Sequence, residues 1–199
     1  LVALSHGRGS RMAHMEALMA KPEASGQILS YCLIGKATGV KDAITKDPQL
    51  INSRAKKRGY SPLQAATAAE SPLETIQVLL DAGADVKHVD MMQLTALHTA
   101  ADKPNPEAML KLLEHPDAKS MLEMADEDGC TPMHYAACAG HIEVITALLK
   151  LGAQAEVENL AGMTPAKLAA EYEHPEAAEL ITNGLPQVAP AEGEGGDGE

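Results

Sequence analysis

Four side chains of metal-binding type fall within twelve positions: Cys130, His134, Cys138 and His141. Two thiolates and two imidazoles form a zinc-type donor set, and structural zinc requires four such ligands converging on a tetrahedron. A cysteine could instead act as a nucleophile if a base and an oxyanion site lay within reach; His98 and His134 are the candidate bases. A third kind of chemistry is suggested by the run Arg54-Ala55-Lys56-Lys57-Arg58-Gly59-Tyr60. Its basic side chains and neighbouring aromatic suit phosphate or acidic protein groups, and it superficially matches a nuclear-import patch. The sequence contains no glycine-rich phosphate loop, serine elbow or His-Glu metal motif. Which of these candidates converge depends on the elements that carry them.

Those elements repeat. Ser61-Pro62-Leu63-Gln64-Ala65-Ala66, Thr95-Ala96-Leu97-His98-Thr99-Ala100-Ala101, Thr131-Pro132-Met133-His134-Tyr135-Ala136-Ala137 and Thr164-Pro165-Ala166-Lys167-Leu168-Ala169 are versions of one text, spaced by 34, 36 and 33 residues. A period of this size marks stacked supersecondary units. Ser or Thr ahead of Pro sets an N-cap, with Pro at the first helical position, where its missing N–H costs nothing. A second stripe follows at helical spacing: Ile76, Leu79 and Leu80; Met109, Leu112 and Leu113; Val144, Ile145, Leu148 and Leu149; Leu180 and Ile181. Gly83 and Gly152 fall just past two of these stripes, where a left-handed residue ends a helix. One unit cannot bury its stripe alone, so neighbours must stack.

The repeated text resembles the ankyrin repeat, a turn plus two antiparallel helices with a T-P-L-H-x-A signature. The unit that runs Asp128-Gly129-Cys130-Thr131-Pro132-Met133-His134-Tyr135-Ala136-Ala137, then Gly140-His141, Leu148-Leu149 and Gly152-Ala153, matches it best. The resemblance covers about residues 26–187. It implies an all-α solenoid with short hairpin-like turns, in units of about 26–55, 56–89, 90–125, 126–158 and 159–187, the first and last being degenerate caps. Lys167, Glu171, Glu173, Glu176 and Glu179 would make the outer faces of the last cap polar. Departures mark where the pattern bends. Ala96 stands for the signature Pro, Gln64 and Lys167 stand for the His, and Gln93 stands for the hairpin Gly. An extra residue lies near Glu70-Ser71-Pro72, and a non-standard loop is expected over His115–Ser120.

The resemblance also places the chemistry. His98 and His134 match the family's structural His, whose ring bridges neighbouring units. His141 falls at an inter-helix turn, Cys138 on a first helix and Cys130 in a hairpin, so the four zinc-type donors diverge. No metal, cofactor or catalytic residue is expected. In the family the hairpin tips and the inner faces of the first helices bind partners. Carried over position by position, the tips offer Lys57, Arg58 and Tyr60, then Met91, Met92 and Leu94, then Glu127, Asp128 and Cys130, then Leu160, Ala161 and Met163. The first helices offer Ala68, Ala69, Asp102, Lys103, Cys138, Ala139, Glu171 and Tyr172. Met91, Met92 and Leu94 put apolar groups where a turn usually wants polar ones; they mark a contact or pack on a neighbouring tip. The basic cluster meets an acidic protein group or is a solvated tip.

Composition narrows the function classes. The 199 residues carry a net charge of −12, with 12 Lys/Arg against 10 Asp/Glu up to residue 103 and 4 against 18 beyond it. A nucleic-acid binder usually shows a broad basic face, so nucleic acid is disfavoured as partner, although this asymmetry would orient a charged protein. Aromatic residues make up 2%, with no Phe or Trp, which suits a stack of small residues and Leu. No apolar run reaches membrane-spanning length. Three cysteines, an odd number at no disulfide-like spacing, suit a reducing compartment, cytoplasmic or nuclear. Residues 1–20 are expected to be a disordered leader or fragment boundary, with Met15 as a candidate start and a transit peptide as a lesser option. Residues 188–199 are expected to be a disordered acidic tail. The expected function is a non-catalytic, monomeric protein-interaction module (adaptor, scaffold or inhibitor) whose partner has mixed charge and an apolar anchor. The alternatives are a regulatory stack associated with an enzyme and a purely structural stack.

Overall fold

The computed structural model describes residues 24–69, 71–103 and 106–185. The expectations for residues 1–20, for 188–199 and for Glu70 lie outside the described residues. In chain order the helices are α1 (Ala24–Leu33), α2 (Ala37–Lys46), a 3-10 turn at Pro48–Asn52, α3 (Pro62–Ala68), α4 (Leu73–Asp81), α5 (Ala96–Ala101), α6 (Glu107–Leu113), α7 (Ala118–Met121), α8 (Pro132–Ala139), α9 (Ile142–Lys150), α10 (Pro165–Glu171) and α11 (Pro175–Asn183). No strand occurs among the described residues.

The caps explain where the short helices begin. Ser61, Thr95, Thr131 and Thr164 all have extended backbone immediately before a helix. Ser61 Oγ accepts from Gln64 N–H at 3.2 Å and Thr164 Oγ1 from Lys167 N–H at 3.3 Å. Each bond satisfies an amide that the helix leaves without an internal partner. Such caps matter because helices of six to eight residues are too short to persist by propensity.

Packing supplies the rest. The inner helices α1, α3, α5, α8 and α10 each touch the next, as do the outer helices α2, α4, α6, α9 and α11. Within each unit inner packs on outer, giving two helical layers that share one continuous apolar cluster. Leu63, Ile76, Leu79, Leu97, Met109, Leu112, Met133 and Ile145 are completely enclosed within it. Burying a Leu, Ile or Met side chain contributes about 1.5–3 kcal/mol. Ala100 and Ala101 of α5 and Ala136 and Ala137 of α8 are fully buried in two helices that touch, and such small side chains let inner helices approach closely. Lys167, Glu171, Glu173, Glu176 and Glu179 of the last unit are exposed.

The unit exits show one departure. Gly83 and Gly152 take φ of 82° and 90°, the left-handed region that ends a helix. After α6 the corresponding stretch is the short helix α7, where a non-standard loop is expected from the sequence. This helix has its own reason to fold: Ala118, Met121 and Leu122 are buried against the stack. Asp117, at its start, pairs with Lys87 of an earlier unit at 2.8 Å.

Candidate functional site

The candidate site grows out of the turns that precede the inner helices. Three of them are folded by one device. Asp90 Oδ1 accepts from Met92 N–H and Leu94 N–H, both at 2.9 Å. Asp126 Oδ1 accepts from Asp128 N–H at 3.0 Å and Cys130 N–H at 2.8 Å. Asn159 Oδ1 accepts from Ala161 N–H and Met163 N–H, both at 3.0 Å. A carboxylate or amide oxygen clasping two amides ahead of it is the Asx arrangement that competes with regular structure and shapes turns. Tyr135 adds a donor to the same carboxylate, its hydroxyl lying 2.6 Å from Asp126 Oδ2. The first turn is a residue longer and carries the backbone bonds Gly59 N–H to Ala55 O at 2.8 Å and Ala55 N–H to Tyr60 O at 2.9 Å, with His88 Nε2 meeting Gly59 O at 2.7 Å.

Neighbouring turns are then joined through their main chains. Met91 N–H donates to Arg58 O at 2.9 Å, Glu127 N–H to Met92 O at 3.2 Å, and Leu160 N–H to Asp128 O at 3.0 Å. These bonds make four tips into one continuous row. Below the row, three side chains connect each cap to the next tip. His98 Nδ1 accepts from Thr95 N–H, and its Nε2 meets Cys130 O, both at 3.1 Å. His134 repeats this with Thr131 N–H and Met163 O at the same distances. Gln64, lacking a ring, does the same work: its Oε1 accepts from Ser61 N–H at 2.9 Å and its Nε2 donates to Leu94 O at 2.5 Å. The bridging role expected for His98 and His134 is therefore present, and the unit with Gln in place of His keeps it.

The expected surface residues divide by burial. Met91 and Leu160 project into solvent at 70% and 82% exposure. Lys57 and Glu127 are exposed, and Arg58, Met92, Asp128 and Met163 are half-buried in the row. Arg58 Nη1 reaches Met92 Sδ at 3.5 Å. Tyr60, Leu94 and Cys138 are corrections: at 5%, 0% and 5% exposure they cannot offer side chains to a partner, and Cys130 is equally enclosed. Tyr60, Leu94 and Cys130 each sit one position before an N-cap, where a hydrophobic side chain turns inward to pack on the helix it precedes. Cys138 belongs to α8, which is buried at every position from Pro132 to Cys138. Asp102, Lys103 and Tyr172 are half-buried, but they follow the inner helices while the tips precede them. With about 1.5 Å per residue, a six- to eight-residue helix separates the two sets by about 9–12 Å. The expected site is therefore two parallel rows rather than one cluster.

Sequence reasoning missed Asp90, Asp126 and Asn159. The signal was present, since each stands five positions ahead of a capping Thr, at the period of the repeat.

The zinc-type donors do not meet. Among the described residues no group of three or more His, Cys, Asp or Glu is arranged to hold a metal ion. The ring nitrogens of His134 are engaged by Thr131 and Met163, and Cys130 Sγ accepts from Asn159 Nδ2 at 3.4 Å. Burial pushes the Cys32 thiol up to about 12 and the Cys130 thiol up to about 11. A thiol so raised stays protonated at neutral pH and is a poor nucleophile. Burial also holds His134 below its ordinary value of 6.5, keeping it neutral. A cleft of about 120 Å³ lined by Thr67, Ser71, Pro72, Leu73, Lys103, Glu107 and Ala108 lies between two inter-helix turns. That is well below the ~300 Å³ at which small-molecule sites begin. No helix among the described residues is long and apolar enough to cross a membrane.

Comparison with known proteins agrees with this architecture. Residues 97–188 match a family model described as ankyrin repeats (3 copies). Human ankyrin repeat domain-containing protein 63 is 30% identical over 76% of the chain. The nuclear factor NF-kappa-B p105 subunit of Gallus gallus is 29% identical over 62%, and tyrosine-protein kinase HTK16 of Hydra vulgaris is 30% identical over 55%. The chain spans 40%, 13% and 14% of these relatives respectively.

Proposed function

The chain is an ankyrin-repeat protein, and on that premise we propose that it is a non-catalytic module that docks a protein partner on its row of tips. One observation carries the proposal. The backbone ladder holds Met91 and Leu160 in water, with Lys57 and Arg58 at one end and Glu127 and Asp128 between them. Large apolar groups displayed on a rigid frame favour association, because burying them against a partner costs little ordering. Methionine adds an unbranched, adaptable contact. Charges flanking such anchors set orientation and encounter rate more than affinity. The half-buried Asp102, Lys103 and Tyr172 form a second row for a partner broad enough to cover both. Catalysis draws no support from Cys32 and Cys130, whose buried thiols stay protonated. Three free cysteines suit a reducing compartment, cytoplasmic or nuclear, and the module works as a monomer.

Capture from cell lysate tests the docking surface. The whole chain is compared with a Lys57→Glu/Arg58→Glu/Met91→Ser/Met92→Ser variant of matched helicity and melting temperature. Proteins retained by the parent and lost by the variant support docking at the tips. Equal retention by both refutes it.

A second reading has its own observation. One relative is, by its name, a tyrosine-protein kinase, and this chain matches 14% of it. The stack would then regulate an enzyme joined or bound to it. Co-purification of an enzymatic activity with the native chain distinguishes this reading.

A further inference from the structure

The two exposed anchors are seated alike. Gly59 has a φ of 74°, and a Cβ built there would come within 3.7 Å of Met91 Cγ. Gly129 has a φ of 76°, and its Cβ would come within 3.2 Å of Leu160 Cγ. Each knob on one tip therefore lies over the bare glycine of the tip before it. The tip between them carries Gln93 instead, and the residue equivalent to the two knobs on the following tip is Glu127. The seating makes two composite sites rather than four independent tips. In the first, Met91 lies beside the backbone of Arg58 and next to Lys57 in the row. In the second, Leu160 is bonded through its amide to Asp128 and follows Glu127. The two sites have the same apolar half and opposite charge.

Their separation follows from helix packing. Met91 and Leu160 precede α5 and α10, with α8 between, so two inner-helix spacings divide them. At about 8–10 Å per packed pair this is about 16–20 Å. An extended chain covers that distance in about five to six residues at ~3.3 Å each.

We propose that the tip row binds an extended partner segment carrying two apolar side chains about five to six residues apart, the one at the Met91 end flanked by acid and the one at the Leu160 end flanked by base. This rests on the reading of the tips as a docking surface and adds the chemistry of the ligand. Opposite charges at the two ends allow one direction of binding, because the reversed segment brings like charges together at both.

The test is selection of random 16-residue peptides displayed on phage against the immobilised full chain. It is repeated against a Lys57→Glu/Arg58→Glu variant and a Met91→Ser/Leu160→Ser variant, each checked for unchanged melting. Expected is enrichment of acid–apolar and apolar–basic pairs at the stated spacing. A fluorescein-labelled member should lose about tenfold or more in affinity on charge reversal. That loss should shrink as salt rises from about 0.05 M to about 0.5 M, where the screening length falls to a few ångströms. Peptides with an acid–apolar pair alone would limit the partner to an acidic segment and overturn the two-anchor inference. Peptides without charge order, yet lost on Met91→Ser/Leu160→Ser, would overturn it while leaving tip docking intact. Peptides indifferent to both variants would overturn both. No enrichment would overturn the linear-segment inference, leaving docking to be judged by lysate capture. A dimer of the chain that excludes peptides would assign the row to a second copy.

Discussion

Replacing His98 tests whether the bridging side chains hold the stack together. His98 is fully buried; its ring accepts from Thr95 N–H, meets Thr95 Oγ1 at 2.9 Å and bonds Cys130 O. Leucine in its place leaves the Thr95 amide enclosed without that acceptor, which costs about 1–3 kcal/mol, and removes a bond worth about 0.5–1.5 kcal/mol. Cys130 O keeps a second donor, Asp126 N–H at 3.0 Å, so the loss on that side stays small. His98→Leu should therefore cost about 2–4 kcal/mol, a fall in Tm of about 5–15 °C for a domain of this size. The control comes from the protein itself. Gln64 makes both equivalent bonds in the preceding unit, so His98→Gln should recover most of the loss. Its flexible stem and the lost edge-to-face contact with Tyr135, at 5.6 Å between centroids, leave a cost of about 1 kcal/mol. Thermal melts followed by circular dichroism, with hydrogen exchange at the Thr95 amide, read both variants. If Leu and Gln lower Tm equally, the ring serves as volume and the bridging argument fails.

Three further outcomes follow from the same geometry. Asp126→Ala removes the acceptor for Asp128 N–H, Cys130 N–H and the Tyr135 hydroxyl. It should destabilise the chain by about 2–4 kcal/mol, with amide exchange rising first at residues 128 and 130; a change under about 0.5 kcal/mol, the usual range for surface positions, would refute the clasp. The depressed His134 value makes stability pH-dependent. Above the ordinary value of 6.5 its contribution is fully present; as pH falls below 6.5 the unfolded chain takes up a proton that the folded chain refuses, and stability drops. Tm measured from pH 7 down to pH 5 should fall less in His134→Gln than in the parent, and identical slopes would refute the assignment. Cys32 and Cys130, with thiols raised to about 12 and 11, should resist iodoacetamide at pH 8 in the native chain and label fully in denaturant, as read by mass spectrometry; rapid native labelling would contradict their burial.

Much of this architecture is legible in the chain itself. Ser or Thr with Pro starts a helix because cap and first-turn preferences depend on residues within one turn of each other. The period of 33 to 36 residues implies stacking because no single unit can cover its own apolar stripe. The bridges at His98 and His134 are what the resemblance to the family implies. Even the clasps at Asp90, Asp126 and Asn159 were available, since they recur at the period of the repeat.

What the tertiary structure alone decided is which side of each turn meets water. Met91 and Leu94 stand three positions apart on one tip, both apolar, yet one is 70% exposed and the other fully enclosed. Leu94, one position before the cap, turns inward onto the helix it precedes, whereas Met91 lies over Gly59 of the preceding tip with its side chain left bare. The same is true of Tyr60 and Cys138, where the family resemblance implies surface and packing produced core. It is true of α7, whose Ala118, Met121 and Leu122 found cover against the stack where the repeat pattern expects only a loop. Helix starts follow from interactions between residues adjacent in sequence, whereas exposure depends on how each turn is set against the packed helices of the stack, which the chain acquires only by folding.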